Sequence, residues 1–107
     1  MKSIDYNNSR WKKLRLRILK RDKYLCQYFK RYGKRVEATM VHHIYPADKY
    51  PQWAYKEWNL ISLSNQAHEK MHDRITKEIT AEGKIFQNRL QHRLKKVQHT
   101  DNPPYFS

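Results

Sequence analysis

Cysteine and acidic residues are scarce in this chain, and long apolar runs are missing. The lone cysteine, Cys26, excludes an internal disulfide and gives no positive sign of an oxidising compartment. No apolar run approaches the ~18 residues that a transmembrane helix needs. The first eleven residues also lack the apolar segment of a secretory signal. We therefore expect a cytoplasmic protein with no membrane partner.

The shortage of acidic residues leaves a net charge of +13, which predicts a polyanionic partner. This charge is unevenly distributed. Residues 1–35 hold thirteen Lys and Arg against two Asp, a net of +11, whereas residues 36–107 hold ten basic and eight acidic side chains, a net of +2. A surface that is basic only for solubility, the alternative explanation, does not require such one-sidedness. The first third should therefore supply most phosphate contacts.

The 107 residues allow one domain with a modest core, and small domains often add a metal as a staple. Aromatic residues make up 13% of the chain, too many for a chain that is disordered throughout. We expect a single domain over residues 1–107, divided into a basic helix (9–23), a core (24–82), a C-terminal helix (84–97) and a flexible tail (98–107).

Three segments have the apolar spacing of helices. The first runs from Ser9 to Arg21, with Trp11, Leu14 and Ile18 on its apolar face and Asn8 or Ser9 as cap. Its remaining faces are cationic. A membrane-surface helix would look similar but would need a larger apolar face. The second is predicted from residue 64 or 65 to 81 and is ended by Gly83. The third covers residues 84–97. The apolar stripe of the second helix consists of Ala67, Met71, Ile75 and Ile79.

The segment between the first two helices has the features of a hairpin and a long loop. Residues 39–44 have the β-branched character of a strand, and the turn signal at residues 32–34 predicts pairing with the segment before it. A long loop over residues 45–57 follows. Residues 58–63 then form a short buried approach to the next helix.

Four of the six histidines fall in two places. His68 and His72 are four residues apart on the predicted helix, a spacing that can offer two imidazoles to one cation, although such a pair alone is often due to chance. His42 and His43 are adjacent, so in a strand they point to opposite faces. One could then bind a metal held between hairpin and helix while the other acts as a general base. The alternative is that both are merely packed or exposed on a hairpin.

Together with Asn59, these histidines resemble the motif of HNH endonucleases, which have a ββα-metal fold. The match covers residues 24–74: VHHI at 41–44 is similar to the first motif element, Asn59 to the middle one, and HEKMH at 68–72 to the helical one. The helical element is most similar to that of colicin-type nuclease toxins. The chain length and the lead-in WKKLRLRILKRDKYLC resemble small phage or prophage HNH proteins, often encoded beside DNA-packaging genes.

The resemblance implies an α+β fold, in which a β-hairpin and a helix grip one divalent ion, flanked by a basic N-terminal and a C-terminal helix. It implies that His42 and His68 are metal ligands, that His72 is a third ligand or lies close to the ion, and that His43 is the general base. Asn59 would brace the loop that orients His43, since an amide can hydrogen-bond a backbone carbonyl and an amide together.

One departure from the family concerns a structural zinc. Many small HNH proteins carry two CxxC pairs, whereas the corresponding positions here are Cys26 with Phe29 and Ser64 with Ala67. One thiol cannot make a tetrahedral zinc site. A structural zinc is therefore not expected, and packing of Phe29 and its neighbours should take its place.

The implied activity is metal-dependent hydrolysis of phosphodiester bonds in double-stranded DNA, leaving 3′-hydroxyl and 5′-phosphate ends. The ion is Mg²⁺, Mn²⁺, Ni²⁺ or Zn²⁺; imidazoles suit the last three better than magnesium, which prefers oxygen ligands.

Phage terminase or other packaging proteins are the implied partners, and the location is then the cytoplasm of a bacterial host. Lys70 and Arg74, near His72, could steady phosphates, although surface solvation explains them as well. The expected DNA contacts are Lys12, Lys13, Arg15, Arg17, Lys20, Arg21, Lys70 and Arg74.

Two other interpretations stay open. A DNA-binding protein without catalysis would use the histidines and Cys26 to hold a structural ion, although a two-cysteine, two-histidine finger needs a second cysteine. A basic scaffold or adaptor would dock through aromatic side chains that more often pin a long loop to the core: Tyr50, Trp53, Tyr55 and Trp58.

Overall fold

A computed structural model describes residues 5–97 of the chain, and the tail predicted at residues 98–107 lies outside them. Within the described part, no helix is long and apolar enough to cross a bilayer. The elements follow in the order α1 (Ser9–Arg21), α2 (Gln27–Lys30), β1 (Met40–His43), β2 (Leu60–Leu63), α3 (Asn65–Glu69) and α4 (Ala81–Val97).

Helix α1 begins and ends where its sequence pattern predicts. The Asn8 side chain caps it by accepting a hydrogen bond from the backbone N–H of Trp11, at 2.7 Å. Trp11, Leu14 and Ile18 are buried and pack against Leu60 of β2. At the other end, Arg21 donates to the backbone carbonyls of Glu57 (2.9 Å) and Leu60 (2.7 Å). The helix is therefore fixed against the strand pair along its whole length.

The strand pairing differs from the prediction. Strand β1 pairs antiparallel with β2, with His42 opposite Ile61 and His43 opposite Leu60, and not with the segment that precedes it. That segment forms only an isolated bridge between Leu25 and Glu37. The physical reason is burial and local structure: all four residues of β2 are buried, whereas in the predicted partner segment, residues 24–29, only Cys26 is buried and helix α2 begins at Gln27. Pairing with the buried segment lets both strands contribute to the core.

The long connection between the strands is held by aromatic packing. Tyr50 and Trp53 stack with ring centroids 4.9 Å apart, and the fully buried Tyr45 contacts both rings edge-on. Trp53 belongs to the main apolar cluster, and Tyr50 and Trp58 pack against it. Tyr55 packs instead on the smaller cluster around Trp11. These aromatic side chains therefore pack on the core, Trp53 fully and the other three in part, as expected for residues that pin a long loop.

The prediction of the second helix is wrong beyond its first turn. Helix α3 starts as expected, with the Ser64 hydroxyl accepting from Ala67 N–H at 3.2 Å, but it ends at Glu69 instead of residue 81. The following residues form a loop in which the Asp73 carboxylate accepts from Ile75 N–H and Thr76 N–H, both at 2.9 Å. Such side-chain bonds compete with helix formation, and β-branched residues at 75, 76, 79 and 80 weaken it further.

This loop returns antiparallel to its own start. His72 forms a bridge with Ile79, and Thr80 N–H donates to the carbonyl of Met71 at 2.9 Å. Ile75, predicted to lie on the buried stripe, is 91% exposed. We name residues 70–80 the return loop.

Helix α4 begins at Ala81 rather than Lys84, so Gly83 lies inside it and does not end the preceding helix. A Cβ atom at Gly83 would lie 2.7 Å from the carbonyl oxygen of Met71. Glycine is therefore needed because the first turn of α4 touches the backbone of the return loop. Further along α4, Phe86, Leu90 and Leu94 are buried in the main core, as their spacing predicted.

Candidate metal centre and its neighbouring histidine

Strand β1 presents its two histidines to different surroundings. Both are buried, at 5% and 7% exposure. The ring of His42 contacts His68 and His72, with centroids 5.0 and 5.5 Å away. The ring of His43 contacts Trp11 and the carbonyl of Ala54. The alternation of side chains along a strand thus separates the neighbours.

The three histidines predicted as metal ligands lie close together. One ring nitrogen from each of His42, His68 and His72 lies within 4.8 Å of the other two. His42 comes from β1 and His68 from α3, but His72 lies on the return loop, so the shared helix face that we predicted does not bring His68 and His72 together. The bridge to Ile79 and the backbone bonds of the loop place His72 instead.

The three imidazoles fit a divalent ion. Imidazole nitrogens suit Zn²⁺ and Ni²⁺, and three protein ligands leave positions open for water or substrate. Only the neutral imidazole binds a metal. Burial lowers the pKa of all three rings, most strongly that of His42, where the positive charges that His68 and His72 would carry lower it further. The cluster is therefore kept in the form that coordinates.

His43 lies outside this cluster and has a defined tautomer when neutral. Its Nε2 is 2.9 Å from the carbonyl oxygen of Ala54, and because a carbonyl can only accept, Nε2 carries the proton. Nδ1 is then the unprotonated nitrogen. Burial lowers the pKa of His43, an effect that the bond to Ala54 partly offsets. The ring therefore has a basic nitrogen at neutral pH.

Asn59 ties the long loop together from within. It is fully buried, and its side-chain oxygen accepts from Tyr45 N–H at 2.7 Å. Its amide nitrogen donates to the carbonyls of Tyr45 (3.0 Å) and Trp53 (3.2 Å). Trp53 precedes Ala54, so these bonds hold the backbone next to the Ala54 carbonyl, which accepts the hydrogen bond from His43. Asn59 touches neither His43 nor the cluster of three histidines through these bonds.

All four histidines line one open cleft of about 1580 Å³. Of the predicted DNA contacts, the structure brings Lys12 and Arg15 from α1 and Arg74 from the return loop to this cleft. Lys49 and Lys77 also line it. Sequence reasoning missed both, because the long loop that carries Lys49 could not be placed and Lys77 was assigned to the second predicted helix. Acidic side chains lie there too: Asp48, Glu69 and Asp73.

The other predicted DNA contacts do not line the cleft. Arg17 forms an exposed ion pair with Glu57 at 2.9 Å. Arg21 uses its donors on Asp22 and on two backbone carbonyls, so it serves the fold. The remaining three are exposed on the surface elsewhere: Lys13, Lys20 and Lys70.

The four positions that the resemblance aligns with zinc-binding cysteines are packed in this structure. Cys26 and Ala67 are fully buried in the main apolar cluster, and Phe29 packs against it. Ser64 caps α3. Each of the four side chains thus has a structural contact of another kind.

A strand pair followed by a helix, with histidines from both converging on one point, defines the α+β architecture of the ββα-metal endonucleases. No family model matches the chain, and no curated protein matches it in sequence. A solved structure that is similar to it is the HNH endonuclease of the deep-sea thermophilic bacteriophage GVE2, crystallised with a manganese ion. The match has a TM-score of 0.58 and 26% identity, and it covers 88% of this chain and 82% of that one. The resemblance to HNH endonucleases that the motif indicated is therefore confirmed.

Proposed function

We propose that the protein is a metal-dependent endonuclease that hydrolyses phosphodiester bonds in double-stranded DNA. The observation that carries this proposal is the convergence of ring nitrogens from His42, His68 and His72 within 4.8 Å of one another. His43 is the neighbour of His42 on β1. The similarity to a phage HNH endonuclease supports the same class of activity.

The proposed division of labour follows from the two faces of β1. His42, His68 and His72 would hold one divalent ion, which would supply stabilisation of the negative charge on the phosphate and the leaving oxygen. His43 accepts the proton of the attacking water at Nδ1, because its Nε2 proton is already engaged by Ala54. Asn59 acts on His43 only indirectly, through the loop that carries this carbonyl.

The manganese ion in the neighbouring structure makes Mn²⁺ the first ion to test. An all-imidazole set also favours Ni²⁺ and Zn²⁺ over Mg²⁺. Oxygen atoms of water and substrate would complete the coordination shell, so Mg²⁺ belongs in the same panel.

DNA lies, in this proposal, along the cleft that all four histidines line. Lys12 and Arg15 from one element, and Arg74 from another, would contact phosphates on either side of the bond that is cut. No pattern of side chains suited to reading base edges is evident among them, so binding should be strongly salt-dependent and largely independent of sequence.

The experiment is digestion of a supercoiled plasmid with Mn²⁺, Ni²⁺, Zn²⁺ or Mg²⁺, each with and without chelator. We expect nicking or linearisation that chelator abolishes, with product ends that ligase can rejoin. His43→Ala should lower the cleavage rate by ~10²- to 10⁴-fold, the usual contribution of a general base, while retaining DNA affinity. The matched control is His92→Ala, an exposed histidine of α4 outside the cluster, which should cut at the parental rate.

Two results would contradict the proposal. Purified protein that binds DNA but never cuts it with any of these ions would favour the non-catalytic interpretation. Full activity in His43→Ala would remove that residue from the mechanism. The packaging role implied by the resemblance is a separate proposal, tested by co-purification of the protein with terminase subunits.

A further inference from the structure

The ring of His43 has a second neighbour that the proposed mechanism has not used. Trp11 of α1 stacks on it, with ring centroids 5.1 Å apart and an interplanar angle of 17°. Trp11 is 4% exposed, so this stack is part of the core and not a loose surface contact. The basic helix and the proposed catalytic histidine are therefore in direct contact.

The Trp11 ring is itself held on several sides. Tyr6 and Tyr55 contact it edge-on, with centroids 5.3 and 6.4 Å away. The Asn8 side chain accepts from the backbone N–H of Trp11 at 2.7 Å, the bond that caps α1, and it donates to the Tyr55 hydroxyl at 3.0 Å. The edge-on contacts of the two tyrosines, and the capped helix start that holds the backbone of Trp11, thus limit where the indole ring lies against the imidazole.

The stacked indole ring restrains a rotation of the His43 ring that the hydrogen bond to Ala54 leaves open. A single bond at Nε2 leaves the imidazole free to turn about the axis of that bond, which would swing Nδ1 away from a given water. A stacked ring removes this rotation because the two planes must stay close to parallel. Two restraints, one in the ring plane and one on its face, together define where Nδ1 points.

We propose that Trp11 is a positioning residue for His43, so that α1 contributes to cleavage through the orientation of the general base as well as through phosphate contacts. This inference rests on the proposed nuclease function. It predicts that loss of the aromatic face lowers kcat, since a misplaced base can cost ~10²-fold, while the metal ligands and the cationic residues of the cleft are untouched.

The test compares Trp11→Phe and Trp11→Leu with the wild type and with Trp58→Leu, a control at a partly buried tryptophan that packs on the core and contacts Trp53. We expect Trp11→Leu to lower kcat by about 10- to 100-fold, with KM for DNA and affinity for Mn²⁺ within twofold of the wild type. Trp11→Phe, which keeps a ring face, should recover most of kcat. Trp58→Leu should leave kcat unchanged.

A second measurement is independent of catalysis. In the wild type without DNA or metal, NMR should find the ring protons of His43 upfield of those of the exposed His92, because of the indole ring current. The shift should disappear in Trp11→Leu. If that variant does not fold, Trp11→Met replaces it, since it keeps a long apolar side chain without a ring.

The outcomes separate the two proposals. A wild type that never cuts contradicts the nuclease function, and the NMR shift still shows whether the stack exists. Equal kcat in folded Trp11→Leu and wild type, or equal losses in Trp11→Phe and Trp11→Leu, would overturn the positioning role. Absence of the upfield shift in the wild type would overturn it as well.

Discussion

The two sides of the candidate metal centre are built differently. On the strand side, His42 and His43 are buried on a paired strand, and the loop beside them is held by a buried amide. On the other side, His68 and His72 are half-buried, on a helix of five residues and on the return loop. The first side is stabilised by burial and the second by hydrogen bonds near the surface. Two candidate ligands four residues apart therefore need not share one helix.

Asn59→Ala should have the largest effect on stability, because it acts on the buried side. It removes the acceptor of Tyr45 N–H and the amide that donates to the carbonyls of Tyr45 and Trp53. We expect the free energy of unfolding to fall by about 2–4 kcal/mol, measured by urea denaturation, with loss of cleavage. Asn88→Ala, on the exposed surface of α4, should change little. A loss below about 0.5 kcal/mol for Asn59→Ala would contradict the bracing role.

Gly83→Ala tests the contact between α4 and the return loop. The new Cβ would meet the Met71 carbonyl at 2.7 Å and the Ile79 side chain at 2.6 Å. Alanine gains helix propensity over glycine, but a clash with backbone should outweigh it, giving a net destabilisation of about 1–2 kcal/mol. Thermal unfolding measures the effect. If the variant is more stable than the wild type, the return loop does not lie against α4 in this way.

Asp73→Ala should weaken the exposed side of the centre without unfolding the protein. It removes the acceptor of Ile75 N–H and Thr76 N–H, which shapes the loop that carries His72. We expect Mn²⁺ affinity to fall by about tenfold, the lower end of effects seen for residues that support metal ligands, measured by calorimetric titration. Glu78→Ala removes an acidic side chain from the same loop without these bonds, and it should bind Mn²⁺ as the wild type does.

Ile75→Ser should have the smallest effect. Ile75 is 91% exposed, so its replacement should change the free energy of unfolding by no more than about 0.5 kcal/mol. The same change at a helix stripe position facing the core would cost several times more. A fall in the free energy of unfolding of more than about 2 kcal/mol for Ile75→Ser would therefore favour the long helix that the sequence pattern predicted.

The sequence predicted the parts of the fold that local pattern determines. The apolar spacing of Trp11, Leu14 and Ile18 located α1, and the motif located the three histidines that meet. It did not predict the strand partner of β1, because pairing depends on which distant segment is buried. It also missed the return loop, since the spacing of Met71, Ile75 and Ile79 fits a helix equally well until Asp73 takes the backbone donors.

The contact between Trp11 and His43 could not be foreseen either. The tryptophan was assigned to the apolar face of α1, and the two residues are far apart in sequence, so no local pattern joins them. Arg17 and Arg21 illustrate the same limit: their charge suggested DNA contacts, but the fold engages both with partners on the connection before β2. Arg15 also donates to a backbone carbonyl, that of Thr39, but it lines the cleft, so only the tertiary structure shows which cations face the candidate site.

The most direct test of the account is calorimetric titration of Mn²⁺ into the wild type, His42→Ala and His43→Ala. The account predicts one ion per chain in the wild type, loss of binding in His42→Ala, and near-parental affinity in His43→Ala, because the two side chains lie on opposite faces of β1. Equal loss of binding in both variants, or unchanged binding in His42→Ala, would contradict the assignment of neighbouring histidines to separate roles.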